Sequence, residues 1–296
     1  MAIRYITYQQ IDKTKWDACI DNAANGLIYA YSFYLDGMAK NWDALVLNDY
    51  EAVMPLTWNK KYGIAYLYQP FFIQQLGIFY KGSISEEIQQ SFVTAAKQQF
   101  RFAELFVNFT IGDEQPNYIL HLNQPYELLL QGYTNDLLKN LKHAAKFSLS
   151  YLVANDIAVA IDLYRNHYAL RTPHVKKPDY DNFLKVCVTA NQKGNLLIRT
   201  VVDDKKTVLA IALLLKDKRR LYNVLSTVTK EGRHCEANHY LFDKLITEFS
   251  GQEIILDFEG SSVAGIADFY KKFGAVNEPY FFLRYNNLAW PLKYFK

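Results

Sequence analysis

The segment 221–275 constrains the fold of this 296-residue chain more than any other stretch. It opens with the apolar run Leu221–Thr227, which predicts a β-strand, and continues through a polar loop at 229–236. Apolar side chains then recur at four-residue spacing, as on the buried face of a helix, and Gly251 follows where helices commonly end. These apolar positions are Ala237, Leu241, Leu245 and Phe249.

A second strand and a short helix complete the segment. The apolar run Ile254–Leu256 predicts a central strand that delivers Asp257 and Glu259 at its carboxyl end, and a helix is expected within 265–275. Ligands of open α/β sheets bind at the carboxyl ends of the strands. We therefore expect the two carboxylates and Tyr270 of the last helix to converge on one cleft.

The last helix carries small, apolar, aromatic and basic residues in a fixed order. This order resembles the closing motif of the GNAT acyltransferases, and the resemblance implies that Tyr270 protonates the departing thiolate of coenzyme A. The family's glycine-containing pyrophosphate loop is not present, because the sequence from Glu231 to Asn238 stands in its place. Backbone amides at the start of the following helix still offer an anion site. The residues that match the motif are Ala267, Phe269, Tyr270, Lys272, Phe273 and Gly274.

Acyl transfer to an amine needs a neutral amine, donors for the developing oxyanion and an acid for the leaving group. We expect Asp257 or Glu259 to accept the proton of the amine and Tyr270 to supply one to the leaving group. Each has a structural alternative, because a carboxylate can cap the next helix and a tyrosine can belong to the core. The candidate contacts to the donor are Ser226, Thr227, Val228, Arg233, His234, Asn238 and Lys272.

A basic amphipathic helix is predicted at 133–146, with Lys139, Lys142 and Lys146 opposite an apolar side. Such a charged face is commonly just solvated. The segment also resembles the start of the second domain in FemAB-type transferases, which are tandem GNAT folds that move an amino acid from aminoacyl-tRNA onto a peptidoglycan precursor. This resemblance makes tRNA an alternative partner.

The loop 171–178 is rich in proline and basic residues and joins two predicted helices. In GNAT-like folds this link covers the acceptor, so the resemblance makes Arg171, His174 and Tyr180 candidates for substrate binding. The alternative is a plain connector.

The first half of the chain repeats the pattern of the second. A strand at 76–79, a helix at 85–100 and a strand at 103–109 follow the same order about half a chain earlier. We predict an α/β (α+β) protein of two GNAT-like domains in tandem, each a mixed, largely antiparallel sheet flanked by helices. The first, degenerate domain spans 1–127, and the second spans 128–296, carries the site and has its sheet closed by a strand at 280–285. Two unrelated α/β domains are the alternative.

Composition narrows the class of protein. Half of the residues are hydrophobic, which allows a large core, and a net charge of +3 neither demands nor excludes nucleic acid. No apolar run is long enough to span a bilayer, and the start of the chain does not look like a signal peptide, so we expect a cytoplasmic protein. Three scattered cysteines fit a reducing compartment and provide no metal motif.

The sequence thus favours an acyltransferase that moves an acyl group from an acyl-CoA, such as acetyl-CoA, to a small-molecule or peptide amine, without a metal. Transfer from aminoacyl-tRNA is the first alternative. The second is a GNAT-shaped protein that binds a ligand without catalysis, which the loss of the glycine loop favours. The acceptor and the oligomeric state are not predicted.

Overall fold

A computed structural model describes residues 2–168, 172–260 and 264–294, with the side chain of Ala264 left out. The chain divides into two compact units. The first comprises Met1–Gln115 with Pro279–Lys296, and the second comprises Pro116–Glu278. The domain boundary predicted at 127/128 lies within the second unit.

The first unit contains a sheet and three α-helices among its described residues. Its N-terminal part consists of β1 (Ile3–Ile6), α1 (Lys13–Asn22), α2 (Ser32–Met38), β2 (Asn41–Leu47), β3 (Ala52–Lys61), β4 (Ile64–Tyr68), β5 (Phe79–Tyr80), α3 (Glu86–Gln99), β6 (Phe102–Val107) and β7 (Asp113–Gln115).

The second unit carries the segment on which the sequence analysis centres. Its elements are β8 (Tyr118–His121), α4 (Tyr126–Gln131), α5 (Asn135–Ala144), β9 (Ser150–Ala154), α6 (Ile157–Tyr168), α7 (Lys177–Gln192), β10 (Leu196–Val202), β11 (Val208–Lys216), β12 (Arg220–Val228), α8 (Lys230–His234), α9 (Ala237–Phe249), β13 (Ile255–Asp257), α10 (Ala264–Lys271) and β14 (Val276–Asn277).

The last strand, β15 (Tyr280–Asn286), belongs to the first unit. It pairs antiparallel with β6 and β7, so the prediction that 280–285 closes the second sheet was wrong. The two sheets have the orders β1-β2-β3-β4-β6-β15-β7 and β14-β8-β13-β12-β11-β10-β9, with β5 on β3. Only β4–β6 and β12–β13 are parallel among the named strand pairs. This arrangement confirms the predicted fold class of two mixed, largely antiparallel sheets flanked by helices.

A local cap and an apolar stripe mark two of the predicted helices, α3 and α9 respectively. The Ser85 hydroxyl accepts a hydrogen bond from the amide of Ile88, which caps α3 as predicted. The whole predicted stripe of α9 is buried in one core with β11, β12 and β13. The strand predicted at 76–79 is reduced to β5 and an isolated bridge between Leu76 and Val107, while β4 pairs with β6 at Ala103 and Glu104.

Membrane spans and metal clusters are both absent from the described residues. No helix there is both long and apolar enough to cross a membrane. No cluster of three His, Cys, Asp or Glu side chains within this part of the chain suits a metal ion.

Candidate functional site

The parallel strands β12 and β13 separate at the centre of the second sheet. They pair only from Arg220–Ile255 to Tyr222–Asp257, whereas β12 continues to Val228. Just past the last pair, β12 has a bulge in which Asn223 and Val224 lie opposite Leu214 of β11. Residues 223–228 therefore form no ladder with β13, and the gap between the strands is where a ligand could reach their backbone groups.

Tyr270 approaches this gap from α10. Its ring packs in an aromatic core, stacked on Phe258 with the ring centroids 4.6 Å apart, and the residue is only 5% exposed. Burial is the largest cause that raises the pKa of the Tyr270 hydroxyl, followed by the nearby Glu259 carboxyl. The phenol is thus protonated at neutral pH, and its hydroxyl lies beside the Asn223 amide.

Glu259, in the loop after β13, has an unusual backbone conformation and an unusual pKa. Its φ of 52° lies in the left-handed region, which few side chains other than Asn and Asp adopt. Burial raises its pKa to about 8. A carboxyl group with such a pKa exchanges a proton readily near neutrality, and strained backbone often accompanies function.

Asp257 is engaged away from Tyr270. It is 1% exposed, and one carboxylate oxygen accepts a 2.6 Å hydrogen bond from Nη1 of Arg220, while the other accepts from the amide of Glu259. Arg220 also pairs with Glu278 at 2.7 Å. Burial lowers the pKa of Arg220, but Asp257, Tyr222 and Glu278 together outweigh this effect and keep the pKa above its usual value. The structure therefore brings Glu259, but not Asp257, to the Tyr270 hydroxyl.

The predicted donor-binding residues of β12 lie in the part of the strand that pairs with β11 but not with β13. The Ser226 hydroxyl accepts a hydrogen bond from the side-chain amide of Asn223, at 3.4 Å. The Thr227 hydroxyl is buried and makes no hydrogen bond to the described residues. Val228 packs against the core beneath α9.

The polar loop predicted at 229–236 is largely a helix, α8, so this prediction was wrong. Thr229 caps it through a 2.9 Å bond from the amide of Gly232, and the amide of Arg233 donates to the Thr229 carbonyl. The amides of Cys235 and Glu236 also donate to carbonyls of α8. Four amides of this segment are thus used within the protein.

The remaining donor-binding candidates are dispersed. Arg233 and His234 are exposed on α8. The side-chain oxygen of Asn238, in contrast, is buried and accepts no hydrogen bond from the described residues. Lys272 forms a 2.6 Å ion pair with Asp136 at the start of α5. Lys272 is thus paired with a carboxylate. The four candidates lie on α8, on α9 and just after α10, and do not form one pocket.

Of the three acceptor candidates, Arg171 lies outside the described residues. His174 is exposed in the loop, and Tyr180 is buried on α7. Burial raises the pKa of Tyr164 on α6, and the nearby Tyr180 adds to this effect. The ring centroids of Tyr164 and Tyr168 are 4.9 Å apart. Tyr164 and Tyr168 in turn add to the effect of burial, which raises the pKa of the Tyr270 hydroxyl.

One residue beside the Tyr270 hydroxyl, Asn223, was therefore missed as a functional candidate, and so were Tyr164 and Tyr168, which act on that hydroxyl only electrostatically. Asn223 could have been noticed as a polar residue within an apolar strand. The two tyrosines are spaced four residues apart on α6, and this spacing places them on one face, but it does not reveal that the face meets Tyr270.

A basic surface lies where α5 meets α8. The His234 ring is 6.4 Å from that of His143 and 5.9 Å from that of Phe147, measured between centroids. The exposed cations of these two helices and of the turn after α5 form no ion pair with the described residues, and we call them the α5–α8 basic surface. They are Lys139, Lys142, Lys146, Lys230 and Arg233.

Known proteins resemble the chain in part of its sequence and in its fold. The family described as "Acetyltransferase (GNAT) domain" matches residues 134–272. FemX has a TM-score of 0.68 at 11% identity, covering 96% of this chain and 98% of its own. The C-terminal domain of a protein assigned as a lysylphosphatidylglycerol synthetase, from Agrobacterium fabrum, has a TM-score of 0.56 at 13% identity, covering 94% and 92%.

A conserved protein of unknown function from Bacteroides thetaiotaomicron is also similar. It has a TM-score of 0.61 at 9% identity, with 96% of this chain and 100% of that protein covered. No curated protein sequence matches the chain. Identities this low establish the shared fold alone.

Proposed function

We propose, from the premise that the chain is a GNAT-fold acyltransferase, that its donor is aminoacyl-tRNA and its acceptor an amine. The observation that carries this proposal is the replacement of a pyrophosphate-binding loop by α8. The amides of Gly232, Arg233, Cys235 and Glu236 donate within the protein, so these four are not available to coenzyme A. The same helix instead contributes to a surface of unpaired cations.

The α5–α8 basic surface suits the phosphates of a nucleic acid. Its five cations are exposed and lie on α5, on the turn that follows it and on α8, all in one unit. Phosphate contacts supply most of the affinity of proteins for nucleic acids. The likeness of the fold to FemX supports the same donor, because the FemAB-type transferases use aminoacyl-tRNA. Such a donor would place the protein in the cytoplasm.

The proposed chemistry uses three residues at the gap between β12 and β13. The amine attacks the ester carbonyl of the aminoacyl group, so that a C–N bond forms and the C–O bond to the ribose breaks. Glu259, with a pKa of about 8, takes the proton of the amine, and Tyr270 protonates the departing ribose oxygen. Asn223, beside the Tyr270 hydroxyl, orients it.

Acetyl-CoA is the competing donor, because Arg233 and His234 are exposed on α8 and could meet a diphosphate. A thermal-shift assay compares acetyl-CoA with aminoacyl-tRNA. A ligand at 100 times its dissociation constant adds about 2.7 kcal/mol to the free energy of unfolding. Stabilisation by acetyl-CoA but not by tRNA would refute the proposal. Stabilisation by neither would favour a protein that binds another ligand.

The salt dependence of tRNA binding tests the basic surface directly. Replacing Lys142 and Lys146 by Gln should weaken binding and lower the slope of log K against log salt by about 0.7–0.9 for each phosphate that the variant no longer neutralises. The matched control replaces Lys205 and Lys206, which are exposed on the β10–β11 turn. Equal slopes for all three proteins would contradict this role of α5.

Transfer itself is measured as release of the labelled amino acid from charged tRNA in the presence of a panel of amines and short peptides. We expect amine-dependent release with formation of an amide product. Binding of tRNA without amine-dependent release would leave only the ligand-binding alternative.

A further inference from the structure

The first unit has a groove that the proposed transfer reaction does not use. It lies between the β3–β4 hairpin and the segment that follows β15, has a volume of about 560 Å³, and we call it the hairpin groove. Its lining is mainly aromatic and aliphatic, with Tyr62, Ile64 and Tyr66 on one side and Leu288 and Leu292 on the other.

The two segments that line this groove carry the three most exposed large apolar side chains of the described chain, and we call these three the aromatic rim. Tyr62 is 86% exposed, Trp290 is 81% exposed and Tyr294 is 77% exposed. Leaving such rings in water has no structural benefit, and apolar patches of this kind mark interaction sites. Because the rings point outward, they fit a broad partner surface better than a small ligand enclosed in the groove.

The charges around the groove indicate the chemistry of this partner. Lys60, Lys61 and Lys293 are exposed beside the aromatic rim. Glu104 is the one carboxylate among the residues that line the groove, and it pairs with Arg284 at 3.3 Å. The rim is therefore positive, which complements an anionic surface.

Aromatic residues with lysines beside them are typical of protein segments that lie at the interface between a bilayer and water. We propose that the hairpin groove is a docking surface for the headgroup region of an anionic phospholipid bilayer. The rings of Tyr62, Trp290 and Tyr294 enter the interface, and the lysines contact the lipid phosphates. This inference is independent of the proposed acyl transfer.

Vesicle flotation tests the proposal with the full chain. We expect association with vesicles of equal parts phosphatidylglycerol and phosphatidylcholine, and none with phosphatidylcholine alone. Tryptophan fluorescence locates the contact, because Trp16 and Trp42 are buried, Trp58 is half-buried and Trp290 is exposed. Brominated lipids should quench the emission of the wild type, and Trp290→Phe should bind vesicles but lose most of this quenching.

Substitutions test the aromatic residues and the lysines of the hairpin groove separately. Tyr62→Ser combined with Trp290→Ser should abolish flotation, and Lys60→Gln should lower the vesicle partition coefficient about fivefold. The matched controls are Val153→Ser and Lys205→Gln, which alter an exposed apolar residue and an exposed lysine of the second unit.

Three results would overturn the proposal: no association with anionic vesicles at low salt, equal binding to neutral vesicles, or controls that weaken binding as much as the groove variants. A blue shift that rises with protein concentration in the absence of lipid, together with a dimer in sedimentation, would assign the groove to self-association instead.

Discussion

Replacing Asp257 by Asn distinguishes a structural carboxylate from a catalytic one. The sequence indicated Asp257, beside Glu259, as a candidate base, but in the structure it holds Arg220 at 2.6 Å with 1% of its surface exposed. The asparagine keeps the shape of the side chain and removes its charge. The guanidinium then stays buried with Glu278 as its remaining carboxylate.

The magnitude follows from burial. Removing one partner of a buried ion pair costs about 3–5 kcal/mol, because the other charge is left without compensation. We expect the lower end of this range, since Glu278 still contacts Arg220 and the asparagine oxygen can accept one hydrogen bond. The matched control is Glu278→Gln, which removes a carboxylate from the same arginine. Because the Glu278 side chain is 43% exposed, this change should cost about 0–1 kcal/mol.

Urea unfolding at pH 7 measures both variants. A loss of about 3 kcal/mol lowers the midpoint by about 1–3 M for ordinary slopes of about 1–3 kcal/mol per molar urea. Aminoacyl transfer is measured on the fraction that is folded. Wild-type stability with lost turnover in Asp257→Asn would refute the structural role and return Asp257 to the catalytic candidates.

Three further perturbations test the site and its surroundings. Tyr270→Phe removes the proposed acid, so turnover should fall about 100-fold while tRNA affinity is retained; unchanged turnover would exclude this role. Because burial raises the pKa of Glu259 to about 8, the wild type should lose unfolding free energy as the pH rises from about 4.3, the usual pKa of an unfolded Glu, through 8. Glu259→Gln should lack this loss, and identical pH profiles would contradict the shift. Gly232→Ala places a Cβ 2.2 Å from the carbonyl oxygen of Leu209 and should cost about 1–3 kcal/mol in urea unfolding. Gly265→Ala, whose Cβ meets no atom of the described residues within 4 Å, is the helical control and should not destabilise.

The most accurate predictions from the sequence concern elements with a local signal. The stripe of α9 and the cap of α3 were predicted because spacing and capping depend on residues three or four positions apart. The helix α8 was missed because its five residues lack an apolar stripe. Its Thr229 cap and the close approach of Gly232 to β11 define it instead.

The site was predicted only in part. The sequence identified Tyr270 and Glu259, which the structure brings together, but also Asp257, which the structure directs to Arg220. The sequence did not indicate that Arg220 is the partner of Asp257, because the two residues are 37 positions apart and meet only when β12 and β13 pair.

The sequence by itself determined the kinds of elements, the α/β class and the basic face of α5, because hydrophobic periodicity and charge spacing are read along a short stretch of chain. Tertiary structure alone decided that β15 joins the first sheet, that β12 and β13 separate after three pairs, and that Asn223 meets Tyr270. The physical reason is that strand pairing and burial depend on contacts between distant residues. Apolar strands such as β13 and β15 carry no local mark of the neighbour beside which they will lie.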